Sequence, residues 1–404
     1  MRTIGGEKMH CYGLRQYWQI IKRELLFLFK LDKRRIVILF CAASAYLILF
    51  SLLYQQGTVE KIPTLVLDQN NSKLSREFVQ CVEDSEKFHI IAEPINLETF
   101  QDRILHDKEL VGFIIPPNFN TDAESGRETQ VLMVMEGSNL IITSTSAMAG
   151  LEMIRDFSSE KGVKLLEKNT NMNSVQSEVK INPVGFTYRI LGNKTLNYMY
   201  YLALGLSLAA FQQGILIAVA ASFLCEFQGI TNNEIGLNWL SRYAAKILPY
   251  FFISIVAYTT NLVVAKYVFL YPINQKVLLD LFIIGIAFAF IIANIGGVIA
   301  NLVRSELMFT RISLAYVVPA FILSGYTWPL EGMIKPIYFL ALLSPLTYLA
   351  NTFRELILLG YSIDCVHNSL ILLIAGMLAF FLAAYLYDQR VKGFAIAHDS
   401  TKLV

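Results

Sequence analysis

The sequence predicts a polytopic α-helical membrane protein with six transmembrane helices, plus an inserted extracytoplasmic α/β domain. Apolar residue types make up 55% of its 404 residues and charged types only 16%, whereas soluble domains carry about 25% charged residues. Six segments are apolar over the roughly 20 residues that a membrane helix requires. Residues 55–195, between the first two of these segments, have the mixed composition of a soluble domain.

The first predicted span covers residues 36–54 and contains no charged residue. It is too long for a signal-peptide core and starts too deep in the chain, so we interpret it as an uncleaved anchor. The second apolar run starts near Tyr198, and Pro319 interrupts the fifth. The third to sixth predicted spans cover residues 247–270, 277–302, 312–326 and 370–387.

Lysine and arginine residues predict the orientation of the spans. Seven basic residues lie between positions 15 and 35, and further basic pairs lie between spans two and three, between spans four and five, and after span six. Six spans place all four segments on one side of the membrane, which the positive-inside rule identifies as cytoplasmic. The sequence therefore predicts a multi-pass protein of the inner (cytoplasmic) membrane with both termini in the cytoplasm.

This orientation divides the chain into a cytoplasmic N-terminal amphipathic segment (1–35), transmembrane helix 1 (36–54), an extracytoplasmic α/β domain (55–195) and transmembrane helices 2–6 (196–404). The last part includes a cytoplasmic loop, 226–246, and an outer-leaflet segment, 330–368. Pro329 directly precedes this segment, and Pro336 and Pro345 interrupt it. In the predicted domain, strands alternate with helices, which is typical of an α/β fold. The strands are expected at 64–67, 110–115 and 131–135, and the helices at 72–88, 97–107 and 139–169.

Several functional classes find no support in the sequence. The nearest approach to a phosphate-binding loop runs from Gly185 to Thr195, but its glycines are too far apart and Asn193 separates Gly192 from Lys194. The five cysteines show no CxxC spacing, so no metal site is predicted. A net charge of +2 gives no indication of nucleic-acid binding. No catalytic residue and no bound cofactor are predicted, so the chain is not expected to be an enzyme.

Uncharged polar residues stand inside the predicted spans, and Gln212, Asn261 and Asn294 are the principal ones. One interpretation is hydrogen bonding between packed helices, and the other is that they line a translocation path. Ionisable residues are almost absent from the spans, which argues against a proton- or sodium-coupled transporter.

Two predicted cytoplasmic elements are candidate contacts for a partner protein. Residues 17–31 place Trp18 and other apolar residues at helical spacing against Lys22 and Arg23, which is typical of an interfacial amphipathic helix. The second element is the polar loop 226–246, which a plain connecting loop would also explain. Its candidate contact residues are Glu226, Gln228, Gly229, Arg242 and Lys246.

The order of short motifs along the chain resembles the ABC-2 class of transporter permeases, in the subgroup with a large domain after the first span. The acidic, glycine-containing turn at Glu226 and Gly229 is similar to that of the family, although Cys225 and Ile230 depart from its usual pattern. The most specific matches lie in the C-terminal third: Ser324-Gly325, Trp328-Pro329, Met333, Pro336, Ser344-Pro345-Leu346-Thr347, Arg354 and Leu358-Leu359-Gly360.

The resemblance implies a permease subunit of an ATP-binding cassette exporter that moves an amphipathic or drug-like substrate outward. It implies a separate cytoplasmic ABC ATPase subunit, which binds ATP and Mg, and a second permease copy or paralogue. A periplasmic adaptor protein and membrane lipid are further candidate partners. Short helices in the outer leaflet are implied for 330–368, and we expect that segment to gate the path. The predicted gate residues are Tyr326, Trp328, Pro329, Met333, Pro336 and Pro345.

Two other classes are compatible with parts of the pattern. A membrane-anchored sensor or accessory protein would bind a ligand through the extracytoplasmic domain, but the tail after residue 387 is short for an output domain. An intramembrane enzyme would need convergent His, Asp or Glu residues within the spans, and the sequence offers none. Co-purification with an ATPase subunit distinguishes the exporter from both.

Overall fold

The chain folds into a helical unit and a unit built around a β-sheet. The computed structural model describes residues 4–31, 33–106, 110–170, 173–181, 189–226 and 238–401. Among these residues, the helical unit falls within Met1–Gly57 and Ile190–Val404, and the sheet unit falls within Thr58–Arg189.

The described helices, in chain order, are α1 (Ile4–Leu26), α2 (Lys33–Leu53), α3 (Lys73–Glu83), α4 (Leu97–His106), α5 (Phe119–Glu124), α6 (Leu140–Thr170), α7 (Ser174–Ile181), α8 (Leu204–Glu226), α9 (Trp239–Tyr267), α10 (Leu278–Leu302), α11 (Glu306–Leu323), α12 (Lys335–Leu342), α13 (Pro345–Leu358) and α14 (Cys365–Thr401). π-Helical turns at Phe27–Leu31 and Met199–Ala203 precede α2 and α8. In the described part of the chain, six helices are long and apolar enough to cross a membrane, as the sequence predicts: α2, α8, α9, α10, α11 and α14.

Three spans differ from the prediction at their ends. α9 starts at Trp239 rather than at residue 247, and α14 runs from Cys365 to Thr401 rather than from residue 370 to residue 387, so the last residues of the predicted outer-leaflet segment, 330–368, already belong to α14. α11 starts at Glu306 rather than at residue 312, where the Ser305 hydroxyl caps it by accepting a hydrogen bond from the Met308 N–H at 3.3 Å. The apolar pattern places the ends too far inside, because lysine, arginine and glutamate are good helix formers and extend a helix beyond its apolar part.

α8 lies at the centre of the helical unit, where it packs against α2, α10 and α11. α9 and α10 approach closely at Gly285, since an added Cβ there would lie 2.2 Å from the ring of Tyr258. In α2 and α11, by contrast, only 22% of the residues of the apolar window are buried, so each presents an apolar face that lipid or another chain can cover. α13 is largely buried, whereas α12 is largely exposed. The outer segment therefore folds as two short helices with different environments.

The sheet unit contains four described strands, β1 (Ile62–Asp68), β2 (Phe88–Ala92), β3 (Val111–Ile115) and β4 (Leu132–Met135), in the order β2-β1-β3-β4. β1 is parallel to both β2 and β3, and β4 is antiparallel to β3. Parallel neighbours require helical crossovers, and α3 and α4 provide them. The unit is thus an α/β fold.

Aromatic residues form the main core of the sheet unit, in which the Phe78 ring packs edge-on against Phe113 and Phe119. Ser72 caps α3 through a reciprocal pair of hydrogen bonds with Ser75. The predicted helix through residue 88 is too long, because α3 ends at Glu83 and Phe88 opens β2. β2 is not among the predicted strands, and in the structure its residues alternate between more buried and less buried positions.

Candidate functional site

A buried carboxylate joins α1 to the transmembrane helices. Glu24 is only 4% exposed, and Lys246 of α9 donates to its Oε1 at 3.0 Å. The hydroxyls of Ser222 on α8 and Tyr250 on α9 donate to Oε2 at 2.8 and 3.1 Å. A buried charge persists only when it is paired and hydrogen-bonded, and this carboxylate has partners on both oxygens. We call Glu24, Ser222, Lys246 and Tyr250 the Glu24 cluster.

The Glu24 cluster lies close to one end of the bundle. Ser222 stands four residues before the end of α8 at Glu226, and Lys246 stands seven residues after the start of α9 at Trp239. At 1.5 Å per residue, these positions are about 6 and 10 Å from the helix ends. The cluster therefore lies just inside the C-terminal end of α8 and the N-terminal end of α9.

Further ion pairs connect other helices near the same ends. Arg242 of α9 lies 3.5 Å from Asp388 of α14, which also pairs with Lys392 at 2.6 Å. Arg35 of α2 is buried, stacks over the Phe27 ring at 4.4 Å and lies 3.8 Å from Glu306 of α11. These contacts connect α9 to α14, and they connect the turn after α1 to α2 and α2 to α11.

The predicted partner-contact residues fall into different environments. Arg242 and Lys246 do not lie on a free loop, because residues from 239 onward form the first turns of α9 and both side chains are buried. Trp18 and Lys22 are exposed on α1, and Arg23 lies 3.3 Å from Glu24. The other predicted contacts lie at or beyond the end of α8. Glu226 is its last residue, and the Glu226 side chain, Gln228 and Gly229 lie outside the described residues.

The turn after α11 is held by hydrogen bonds from two other segments. Gly325 has φ +84°, which only glycine adopts readily. Asn351 of α13 donates to the Ser324 carbonyl at 3.0 Å, and Arg354 of α13 donates to the Gly325 carbonyl at 3.4 Å. The Tyr201 hydroxyl, in the turn before α8, donates to the Tyr326 carbonyl at 2.5 Å. We call Ser324–Tyr326 the outer turn.

The Tyr326 side chain is the centre of the outer turn. It is 1% exposed, its ring lies 5.2 Å from that of Tyr201, and the Arg354 guanidinium lies 5.4 Å from its centroid. An added Cβ at Gly205 of α8 would lie 2.6 Å from the Tyr326 ring. The absence of a side chain at Gly205 thus lets the ring pack directly on α8.

The other predicted gate residues lie apart from this ring. Trp328 is 59% exposed, and Pro329 precedes the short 3-10 turn Leu330–Gly332. Pro336 lies in the first turn of α12 and Pro345 begins α13, where a proline costs no hydrogen bond. Met333 is partly exposed at the end of the 3-10 turn. Of these predicted gate residues, Tyr326 and Pro345 are buried, and only the Tyr326 side chain packs against α8.

The polar residues inside the spans also divide into two kinds. Asn294 of α10 accepts from the Tyr243 hydroxyl at 3.0 Å and donates to the Phe290 carbonyl, so it joins packed helices. Gln212 of α8 is fully buried, yet neither its Oε1 nor its Nε2 has a hydrogen-bond partner among the described residues. The Tyr316 hydroxyl interacts with the neighbouring side chains of Gln212 and Ser344, but none of these atoms reaches full hydrogen-bond geometry among the described residues. The Asn261 carbonyl oxygen is buried and also lacks such a bond there.

Several residues of these sites were not predicted as such. Glu24 stands within the apolar periodicity of α1 and Asp388 lies past the apolar run of the sixth span, so neither attracts attention in a hydropathy profile. A lone glutamate on the buried side of an amphipathic helix is a signal that could have identified the first. Asn351 and Tyr201 carry no comparable signal.

Comparison with known proteins identifies the class of molecule to which this bundle belongs. A family model described as ABC-2 family transporter protein matches residues 34–386. The chain therefore belongs to the ABC-2 family of transporter proteins, which confirms the resemblance, and it is a membrane permease of the ABC transporter class.

Two relatives show how far the similarity extends. The chain is 20% identical over 358 residues to the probable multidrug ABC transporter permease YbhR of Escherichia coli, covering 87% of this chain and 92% of the relative. It is 27% identical over 190 residues to ABC transporter G family member 20 of Dictyostelium discoideum. That match covers 46% of this chain but only 26% of the relative, so the chain spans about a quarter of that protein.

Proposed function

We propose that the chain is the permease of an exporter driven by a separate cytoplasmic ABC ATPase, which binds ATP and Mg. The Glu24 cluster is the observation that carries this proposal, because it fixes an amphipathic helix rigidly to α8 and α9. Such an attachment can transmit force from a partner outside the membrane to helices within it. Family membership implies the ATPase partner and a second permease chain, identical or paralogous.

The proposed orientation places both termini and the Glu24 cluster on the cytoplasmic side of the inner membrane. The Lys and Arg distribution supports it, and it places the α/β unit on the extracytoplasmic side. The outer turn then lies at the exit of the path. A relative described as a multidrug permease supports an amphipathic, drug-like substrate, and a path with few charges suits such compounds.

In the proposed mechanism, closure of the ATPases moves α1 and the segment between α8 and α9. The Glu24–Lys246 pair passes this movement to α9, and the hydrogen bond between Tyr243 and Asn294 passes it to α10. The bundle then shifts between an arrangement closed to the outside and one open to it. The outer-leaflet segment acts as the gate in this proposal.

The proposal is tested by purifying the chain alone and with an ABC ATPase subunit. We expect a stable complex that hydrolyses ATP and no hydrolysis by the chain alone, since the sequence carries no phosphate-binding loop. ATP hydrolysis by the chain without a partner would refute the proposal, and so would the failure of every cognate ATPase to bind.

Orientation has its own test, in which cysteines replace Ser125 in the sheet unit and Lys392 on α14. Both side chains are exposed. In intact cells, a membrane-impermeant thiol reagent is expected to label the first and not the second, and lysis should make both reactive. Equal labelling of both in intact cells would contradict the proposed orientation.

Replacement of Gln212 tests whether this residue lines the translocation path or only packs between helices. An unpartnered buried polar group costs about 1–3 kcal/mol, so Gln212→Leu is expected to raise the free energy of unfolding in detergent by about that amount. Export of a fluorescent amphipathic dye should fall severalfold. Asn294→Leu is the matched control, because Asn294 is equally buried but hydrogen-bonded, and it should destabilise. Loss of stability in both variants would assign Gln212 to packing.

A further inference from the structure

α1 has two apolar faces, and the fold uses only one of them. Ile20 and Ile21 are buried against α9, close to Glu24, and Leu28 of the following π-helical turn is buried as well. Trp18, Leu26 and Phe29 instead expose 55%, 51% and 56% of their surface, with Phe29 in the π-helical turn before α2. An exposed tryptophan and phenylalanine within a few turns of each other require a partner or an apolar environment.

Basic residues surround this exposed apolar face. Residues 15–35 contain seven basic and two acidic residues in the sequence. Glu24, one of the two acidic residues, is buried and pairs with Lys246, so its negative charge does not offset the positive charge of the exposed face. Five of the basic residues are exposed: Arg15, Lys22, Lys30, Lys33 and Arg34. The segment therefore presents a positive, partly aromatic surface.

The same surface lies at the boundary of the membrane. The first span begins at Lys33, directly after the π-helical turn that ends α1. Glu24 bonds Ser222 about 6 Å before the end of the second span, so α1 runs beside the ends of the spans and not away from them. Val37, one turn into the first span, is again exposed, so the exposed apolar surface passes from α1 into the lipid-facing helix.

We propose that this exposed face binds anionic phospholipid headgroups at the membrane surface. It is formed by Trp18, Lys22 and Leu26 of α1, Phe29 and Lys30 of the π-helical turn, and Lys33 at the start of α2. Tryptophan and phenylalanine beside lysine are the composition of a helix that lies in the interface. Basic clusters next to a membrane span attract anionic lipids by about 1 kcal/mol per cation. The ATPase is a less suitable occupant of this face, because it would have to cover apolar side chains that continue into the exposed apolar surface of α2.

The proposal rests on membrane insertion of the chain and not on the direction of transport. It assigns the exposed face of α1 to lipid, while the buried face carries the attachment to α8 and α9. The lipid would hold the exposed face of α1 at the membrane surface, and the Glu24 cluster would hold its buried face against α8 and α9.

Fluorescence quenching in reconstituted vesicles tests the proposal directly. The chain contains three tryptophans, so Trp239→Phe with Trp328→Phe leaves Trp18 as the single reporter in the full chain. Vesicles of phosphatidylcholine and phosphatidylglycerol carry bromine on one lipid or the other at equal mole fraction. Brominated phosphatidylglycerol is expected to quench Trp18 more strongly, and salt should reduce the difference. Equal quenching by both lipids at low salt would overturn the proposal.

Charge variants provide the second measurement. In Lys22→Gln with Lys30→Gln and Lys33→Gln, the preference for phosphatidylglycerol is expected to fall roughly fivefold per cation removed. The control replaces Lys194, Lys276 and Lys335 by glutamine. These lysines are exposed and lie away from α1, and their replacement removes the same amount of positive charge. A loss of preference in the control, or its persistence in the first variant, would contradict lipid binding by α1.

The ATPase is the competing occupant, and the same reporter distinguishes it. If the purified complex with the ATPase subunit shows the same quenching of Trp18 as the permease alone, the face belongs to lipid. If the ATPase abolishes quenching, the face is a protein contact and the proposal fails. A variant that inserts poorly into vesicles can still be tested in detergent. Native mass spectrometry of both charge variants then measures how much phosphatidylglycerol co-purifies with the chain.

Discussion

Replacing Lys246 by methionine is expected to lower the free energy of unfolding of the helical unit by about 3–5 kcal/mol. Lys246 and Glu24 are 1% and 4% exposed, and their side chains meet at 3.0 Å. Without Lys246, the Glu24 carboxylate keeps the hydroxyls of Ser222 and Tyr250 and the half-exposed Arg23, but it loses the buried ammonium. Glu24→Gln is expected to cost a similar amount, because it removes the carboxylate charge that the buried Lys246 ammonium faces. Unfolding of the detergent-solubilised chain in a denaturant titration measures both effects.

The double variant measures how strongly Glu24 and Lys246 stabilise one another. Glu24→Gln with Lys246→Met removes both charges together, so its loss of stability should be smaller than the sum of the single losses. The control is Lys392→Met, which breaks the pair between an exposed lysine and Asp388 in the same helical unit and should cost much less. Additive losses in the double variant would show that the two side chains do not stabilise one another.

Transport by the double variant decides whether the pair carries movement. If α1 acts on α9 through these charges, export by the reconstituted complex should fall by about 3- to 30-fold, while the partner still hydrolyses ATP. Export that recovers together with stability would show that the pair only holds the helices together.

The sequence predicts the spans well because hydropathy is a local property of the chain. A membrane helix needs about 20 apolar residues in a row, and this pattern is visible without knowledge of any contact. The ends of the spans are less visible. Arg242 and Lys246 are charged and thus suggest a loop, but in the structure they lie inside α9 because Asp388 and Glu24 neutralise them.

The candidate sites depend on contacts between distant positions, which one sequence does not show. Glu24 and Lys246 are 222 positions apart, and Tyr201 and Tyr326 are 125 apart. Gln212 and Asn294 look alike in the sequence, as polar residues within apolar runs, yet only Asn294 has partners in the described structure. Composition identifies such residues as candidates, and three-dimensional packing decides which of them are satisfied.

The Tyr201–Tyr326 contact predicts where a crosslink would stop export. The two rings lie 5.2 Å apart, and the Tyr201 hydroxyl holds the backbone of the outer turn. Cysteines at both positions, in a background without the native cysteines, can be joined by a short bifunctional thiol reagent that fills the space of the rings. The crosslink ties the start of α8 to the segment that we propose as the gate. We expect export to fall to the background level and to return when the crosslinker is cleaved.

A matched control uses the neighbouring pair Tyr200 and Tyr271, whose rings also lie 5.2 Å apart. This crosslink joins the same turn before α8 to the loop after α9 and leaves the outer turn free, so export should persist. ATP binding by the partner subunit should survive in both crosslinked proteins, because the nucleotide site is on another chain. If the Tyr201–Tyr326 crosslink forms and export continues at the uncrosslinked rate, the outer turn is a fixed anchor and does not open. If both crosslinks stop export equally, the start of α8 itself must move, and the gate is not confined to the segment after α11.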